Sequence, residues 1–233
     1  MNTLLAVLQE SGFECIRKFT SGVLVVNCVP GAGKSSLIRS VLVKDERFEA
    51  VTFGVADVQN LSGLRIKSVA ERTEGKLLIV DEYQCGDWAA LGPCAIFGDC
   101  QQSAGSSFQK PHYICNVSKR FGKETANLLQ SFGFDVKSDR EDSVRIGWVY
   151  HNTTVGQIIA CEEEVFELLE RHNAPYKKLE EIRGQTFDKV TFVTGQRDIP
   201  DCLREEIYLC LTRHREELLI LCPYASFAPS RSY

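Results

Sequence analysis

Short apolar runs and amphipathic stretches alternate along the whole chain. Runs of strand length fall at 22–28, 49–55, 76–81, 93–97, 112–116, 144–149, 155–160, 188–194 and 217–222, bounded by polar or glycine-bearing segments. Helical spacing of apolar positions marks 2–10, 34–43, 121–131, 162–172 and 200–214. This alternation predicts an α/β fold of mainly parallel sheets covered by helices. Lengths and turns leave the strand order open. Gly54 to Thr73 is poor in apolar residues and reads as loop, with an exposed helix around Asn60–Gly63. The polar stretch 132–142 reads as a surface link within the second half. The motifs below place a domain boundary near residue 116, giving a first lobe at 1–116, opened by a short helix over 1–11, and a second at 117–233.

The most telling segment is Val29-Pro30-Gly31-Ala32-Gly33-Lys34-Ser35-Ser36, between the apolar run Val23–Val26 and the helical pattern Leu37–Leu42. Strand, glycine loop and helix together form the context of a phosphate-binding loop. Gly31 and Gly33 let backbone N–H groups turn toward phosphate oxygens, and the helix adds the positive end of its dipole. Lys34 is then expected to reach the β- and γ-phosphates, and Ser35 to hold Mg²⁺. The pattern's first glycine is Cys28 here. The bland alternative is an ordinary glycine turn.

Leu77–Val80 is an apolar strand that ends in Asp81-Glu82-Tyr83-Gln84. Beside a phosphate loop, Asp81 would support the metal and Glu82 would polarise the attacking water. Alone, such a pair is often a solvated turn. The spacing from Lys34 suits neighbouring strands of one sheet. Gln102, in Gly98-Asp99-Cys100-Gln101-Gln102, could sense the γ-phosphate or position water; a plain strand-to-loop turn is the alternative. Arg120 precedes a helical stretch, and Arg213 and Arg215 close another. Either could neutralise charge on a transferred phosphoryl group, or simply complement a helix end. Arg183-Gly184-Gln185-Thr186 is a turn whose Gly184 and Thr186 could donate to a nucleic-acid phosphate. Trp88 and Trp148 suit packing, with base stacking left open for Trp88.

Composition narrows the setting. With 44% apolar and 25% charged residues the chain is an ordinary globular protein, and its net charge of −4 excludes a uniformly basic nucleic-acid binder. The ten cysteines are scattered without C-x-x-C spacing, which suits reduced thiols in a cytosolic setting and no structural metal. The N-terminal apolar stretch lacks a basic flank and meets Glu10 early, so it is a poor signal peptide. No apolar run approaches the ~20 residues of a membrane span, so direct membrane insertion is not expected. The four histidines are dispersed and suggest no catalytic pair.

Taken in order, the motifs resemble those of superfamily 1 helicases of positive-strand RNA viruses. Gly31–Ser35 matches the first motif, Asp81–Gln84 the second, and Gly98–Gln102 the third, with Cys100 where proline is usual. Ser118-Lys119-Arg120-Phe121-Gly122 matches the fourth. Gly184–Phe187 matches the fifth, with Arg183 in place of a glutamine, and Leu211–Arg215 the sixth, with Arg213 at the arginine-finger position. The likeness spans about residues 22 to 222. The compact length and local wording also resemble the first protein of the triple gene block in carlavirus- and potexvirus-like plant viruses.

That resemblance implies two RecA-like lobes with mainly parallel sheets, and a P-loop NTPase using ATP and Mg²⁺. Residues 30–36 would bind the nucleotide. Lys34, Asp81, Glu82, Gln102, Arg120 and Arg213 would be catalytic, and Ser35 and Asp81 would support the metal. Arg183, Gly184 and Thr186 are candidates for RNA contact. It also implies cell-to-cell transport of viral RNA through plasmodesmata from the host cytoplasm, suppression of RNA silencing, and two small membrane proteins and coat protein or virions as partners; self-association is allowed for. A nucleotide-gated RNA-binding interaction protein with incidental hydrolysis is the competing expectation. A small-molecule kinase is a third, and it leaves Arg213 and Gly184–Phe187 unexplained.

Overall fold

The computed structural model describes residues 1–99 and 109–229. The chain divides into two compact units, Met1–Asn116 and Val117–Tyr233. The first contains, in order, α1 (Asn2–Glu10), β1 (Glu14–Cys15), β2 (Leu24–Cys28), α2 (Lys34–Lys44), β3 (Phe48–Thr52), β4 (Ile66–Ser68), β5 (Leu77–Asp81), β6 (Ala95–Gly98) and β7 (Tyr113–Cys115). Its sheet has the order β1-β7-β2-β6-β5-β3-β4. Every pairing is parallel except that of β1 with β7. Strands covered on both faces need apolar side chains at successive positions, and β2 and β6 are buried throughout. Val25, Val51, Val80 and Ile96 form one apolar cluster with Tyr83.

The second unit contains α3 (Lys123–Ser131), β8 (Ser143–Trp148), β9 (Gln157–Ile159), α4 (Glu163–Arg171), β10 (Tyr176–Lys177), α5 (Leu179–Ile182), β11 (Phe187–Val193), α6 (Arg204–Leu211) and β12 (His214–Cys222). Its sheet has the order β10-β9-β11-β12-β8 and is parallel throughout. The amphipathic α4 buries Val165, Phe166 and Leu169 against Ile158, Val193, Leu219 and Leu221. Its acidic residues fill the other face.

All nine strands and five helices read from the pattern are present, with ends moved by a few residues. The exception is the last helix, expected over 200–214: α6 stops at Leu211 and His214 already opens β12. Among the described residues, the short strands β1, β4 and β10 and the one-turn helix α5 escaped the pattern, each too brief to show a period. Around Asn60–Gly63 there is a turn rather than a helix, closed by the Gly63 N–H to Asn60 carbonyl bond (3.3 Å). The 132–142 stretch is not a surface link. Phe134 and Val136 are buried, Phe134 stacks on Tyr208 at 4.6 Å, and the Asp142 carboxylate is wholly enclosed. Finally, β5 does not neighbour β2, because β6 lies between them.

Candidate active site

The fully buried β2 delivers the chain into the glycine loop. The Val29 N–H donates to the Cys115 carbonyl (3.0 Å), fixing the loop's entry to β7. Gly31 and Gly33 have φ of +80° and +97°, a region closed to most side chains. Gly33 precedes α2, and no side chain caps that helix, so its first-turn N–H groups suit an anion. Pro30 and Ala32 are buried, Gly31, Gly33, Lys34 and Ser35 are half-buried, and Ser36 is exposed. Cys28 is 4% exposed and burial pushes its thiol pKa well up. It therefore acts as a small neutral side chain beneath the loop.

Lys34 does not project freely. Its Nζ lies 2.8 Å from Asp81 Oδ1 and 2.5 Å from Glu82 Oε1. Burial alone would lower the lysine pKa; the charges of Asp81 and Glu82 outweigh it and hold the pKa well above the ordinary value. Asp81 is 5% exposed. Burial raises its pKa against the pull of Lys34, and the Glu82 charge adds to the rise. Two carboxylates thus share one ammonium group.

The acidic turn is built from close approaches. Glu82 has φ +53° and ψ +43°, a left-handed conformation that costs a non-glycine residue about 1 kcal/mol. Its N–H donates to Asp81 Oδ1 (2.9 Å), and the Gln84 amide donates to Glu82 Oε2 (2.6 Å). The Tyr83 hydroxyl donates to Asn27 Oδ1 in β2 (3.1 Å), tying the turn to the strand that enters the loop. At the end of β6, a Cβ on Gly98 would sit 2.5 Å from Gln84 Oε1 and 2.6 Å from the Tyr83 ring. Because β2, β5 and β6 are parallel, the loop, the acidic turn and Gly98–Asp99 emerge at one sheet edge, the usual ligand edge of α/β folds. Gln102 lies outside the described residues.

In the second unit the motif residues gather at the opposite type of edge, the N-terminal ends of β11 and β12. Arg213 is 4% exposed and its Nε donates to the Leu209 carbonyl (3.0 Å). Arg120 donates to the Thr212 carbonyl (3.1 Å), joining the fourth motif to the sixth. The Phe187 N–H donates to the Arg213 carbonyl (2.8 Å), joining the fifth to the sixth. Arg183 and Gly184 are exposed on the turn before β11, Gly184 at φ +74°, and Thr186 is half-buried. Arg215, on β12, faces Asp188 at 3.3 Å.

A buried network beneath Arg213 was not legible in the sequence. The His214 ring is wholly enclosed, with Nε2 2.9 Å from Thr125 Oγ1 and 3.3 Å from Asp142 Oδ2. Asp142 also accepts the N–H groups of Gly122 (2.8 Å) and Glu124 (2.9 Å), so it caps α3 from twenty residues away. Gly122 is required there, since a Cβ would lie 2.5 Å from the Asp142 backbone nitrogen. Asp142 carried no local signal: it closes a polar run and reads as solvated. Asn27 was likewise visible only as a neighbour of the motifs, and Gln84 only as the last residue of the second motif, with no role attached.

The donor set suits a magnesium nucleotide. Two acids neutralised by a single lysine leave negative charge for a second cation, and the positive-φ glycines turn the loop backbone toward an anion. Among the described residues no group of three or more His, Cys, Asp or Glu side chains gathers to hold a metal. An ion held by Ser35 and Asp81 would therefore complete its shell with phosphate oxygens and solvent.

Comparison with known proteins follows the same lines. Residues 24–222 match the viral superfamily 1 RNA helicase core domain. The chain is 43% identical to the "Movement and silencing protein TGBp1" of Poplar mosaic virus (isolate ATCC Pv275), over 99% of this chain and 100% of that one. It is 42% identical to the protein of the same name from Lily symptomless virus, again over 99% and 100%. Among solved structures it resembles Arterivirus nonstructural protein 10 (helicase). One crystal structure of it gives a TM-score of 0.56 and the complex with DNA 0.53, both at 17% identity and over 96% of this chain. The chain spans 58% of that helicase in the DNA complex and 56% in the other structure, and the likeness is one of fold.

Proposed function

The chain belongs to the viral superfamily 1 RNA helicases and, within them, to the TGBp1 movement and silencing proteins, and from that footing we propose that it is an RNA-stimulated, Mg²⁺-dependent ATPase serving virus movement. The observation that carries the reading is Lys34, held under the glycine loop between Asp81 and Glu82. A lysine that bridges the two acids is within reach of the place where phosphate, metal and attacking water meet.

In this scheme the loop backbone of residues 30–33 and the first turn of α2, with Ser35 and Ser36, bind the phosphates. Bound Mg²⁺ would neutralise phosphate charge and polarise the γ-phosphoryl group. Lys34 leaves the acids for the phosphate oxygens, and its release frees Glu82 Oε1 to accept a proton from the attacking water. Asp81 remains at the metal side, held by the Glu82 N–H. Arg120, Arg213 and Gln102 are the proposed sensors of the γ-phosphate, and Arg213 the residue that offsets charge in the transition state. Arg183, Gly184 and Thr186, on the turn before β11, are the proposed contacts to RNA phosphates.

The same reading assigns single-stranded viral RNA as the moving partner and cell-to-cell transport through plasmodesmata, with silencing suppression, as the wider role. The two small membrane proteins of the triple gene block and the coat protein or virion are the proposed partners. Among the described residues no helix is long and apolar enough to cross a membrane, which supports delivery to plasmodesmata through those partners.

The test is Mg²⁺-dependent ATP hydrolysis by purified protein, with and without single-stranded RNA, beside Lys34→Ala and Arg213→Ala. Hydrolysis that RNA raises and both substitutions abolish is the expected result. Folded protein that binds ATP and RNA without turnover would instead favour a nucleotide-gated interaction protein.

A further inference from the structure

We propose that Gln84 is a positioning residue for Glu82 and links the acidic turn to the Gly98 end of β6; the proposal rests on the ATPase reading above. A carboxylate accepts hydrogen bonds and donates none. The Gln84 group 2.6 Å from Glu82 Oε2 is therefore its –NH₂ end. That fixes the other end. The Gln84 Oε1 faces the backbone of Gly98, at 2.5 Å from the point a Cβ there would occupy. It is buried, and among the described residues it has no hydrogen-bond partner. Buried acceptors left without a donor are uncommon in folded proteins and point to a special role. Here the amide is turned the costly way round, and the gain is the bond to Glu82.

That bond has a clear use. Lys34 holds Glu82 Oε1 and Gln84 holds Glu82 Oε2. When Lys34 turns to phosphate, Oε1 is released, while Oε2 stays anchored by a group that has no other business at the site. Glu82 keeps its orientation through the exchange. Its Cγ is 3.2 Å from the position a Gly54 Cβ would take, so the carboxylate stem already lies against β3's exit. Because Gln84 rests on Gly98, any shift at the end of β6 reaches Glu82 through one side chain.

The experiment compares wild type with Gln84→Ala and Gln84→Met, the latter keeping bulk and losing the N–H donor. Three quantities are read: steady-state hydrolysis, binding of Mg-ADP, and binding of Mg-ADP with aluminium fluoride as a mimic of the transferred phosphoryl group. Both variants should lose about 30- to 100-fold in kcat, the scale of a misplaced general base. KM and Mg-ADP affinity should stay within about twofold, while affinity for the aluminium fluoride complex should fall about tenfold. If Gln84→Met restores wild-type kcat, Gln84 acts by packing and the proposal falls. If both variants retain kcat and aluminium fluoride affinity in a protein whose activity still requires Lys34, the proposal falls while the ATPase reading stands. Wild-type protein that binds ATP and does not hydrolyse it overturns both.

Discussion

At the scale of single residues, the site is a contest between burial and charge, and Asp81 shows which effect wins. Burial and the neighbouring Glu82 raise its pKa in spite of Lys34. A carboxyl group raised in the folded state contributes stability below its unfolded value of about 3.9 and loses it as pH climbs through the folded value. Asp81 and Glu82 in turn hold the Lys34 pKa well above its ordinary value, and that contribution is fully present at pH 7. Asp81→Asn removes one buried charge but also one of the two acids that hold the buried Lys34 ammonium. The two effects oppose, so the melting temperature should move by less than about 3 °C, while hydrolysis falls by at least ~100-fold. A larger drop would mean that the Lys34–Asp81 pair outweighs the cost of burying the Asp81 charge. Gly98 offers a steric counterpart. Gly98→Ala must displace the Gln84 amide and the Tyr83 ring, and overpacking of this kind costs about 1–3 kcal/mol. Chemical denaturation would measure it, with a parallel loss of turnover because Gln84 is moved. Lys34, Asp81 and Glu82 were legible in the sequence because each sits at a fixed offset from an apolar strand. That Lys34 would lie on both acids was not, since it depends on β6 separating β2 from β5.

At the scale of elements, strands set in apolar runs and helices of two or more turns declare themselves, and the corrections cluster where one element hands over to the next. The sixth motif is the clearest case. Nothing in the sequence breaks the helix between Leu211 and His214, so the pattern predicts a helix over 200–214. The chain instead leaves α6 at Leu211, where the Thr212 hydroxyl donates to the Tyr208 carbonyl (3.0 Å), and enters β12 at His214. What holds that handover is the buried Thr125–His214–Asp142 group, which also caps α3. Asp142 has its pKa lowered: burial works to raise it, and the His214, Thr125, Gly122 and Glu124 hydrogen bonds together prevail. A depressed carboxyl group stabilises above its unfolded value and gives that up as pH falls through the folded one. Asp142→Asn should therefore cost about 2 kcal/mol at pH 7, from the lost charged cap and ring contact. The gap from wild type should close as pH is lowered from 5 toward 3, followed by urea denaturation. A gap that stays constant with pH would show that shape, not charge, supplies the cap. No periodicity could have exposed this group, because its members come from three segments up to 89 residues apart.

At the scale of the whole molecule, the charge balance governs how RNA is held. The chain carries 27 Lys and Arg against 31 Asp and Glu, and many of its cations are spent on acids close by: Arg39 on Asp57, Lys67 on Glu49, Lys123 on Glu141, Arg145 and Lys189 on Glu217. A protein of net charge −4 therefore binds a polyanion through a few local positions, not through a general field. The exposed turn at Arg183 and Gly184 is the position proposed above for that task. With about three phosphates neutralised, the logarithm of RNA affinity should fall against the logarithm of salt with a slope near −2, since single strands release about 0.7 counterions per contact. Between 50 and 200 mM salt that amounts to roughly a 16-fold loss, measurable by fluorescence anisotropy with a labelled single-stranded RNA. Arg183→Ala should weaken binding across sequences alike and make the slope shallower by about 0.7. A slope that stays at its wild-type value would remove Arg183 from the phosphate path. A nearly flat profile for wild type would mean that base stacking and hydrogen bonds, not phosphate charge, hold the strand.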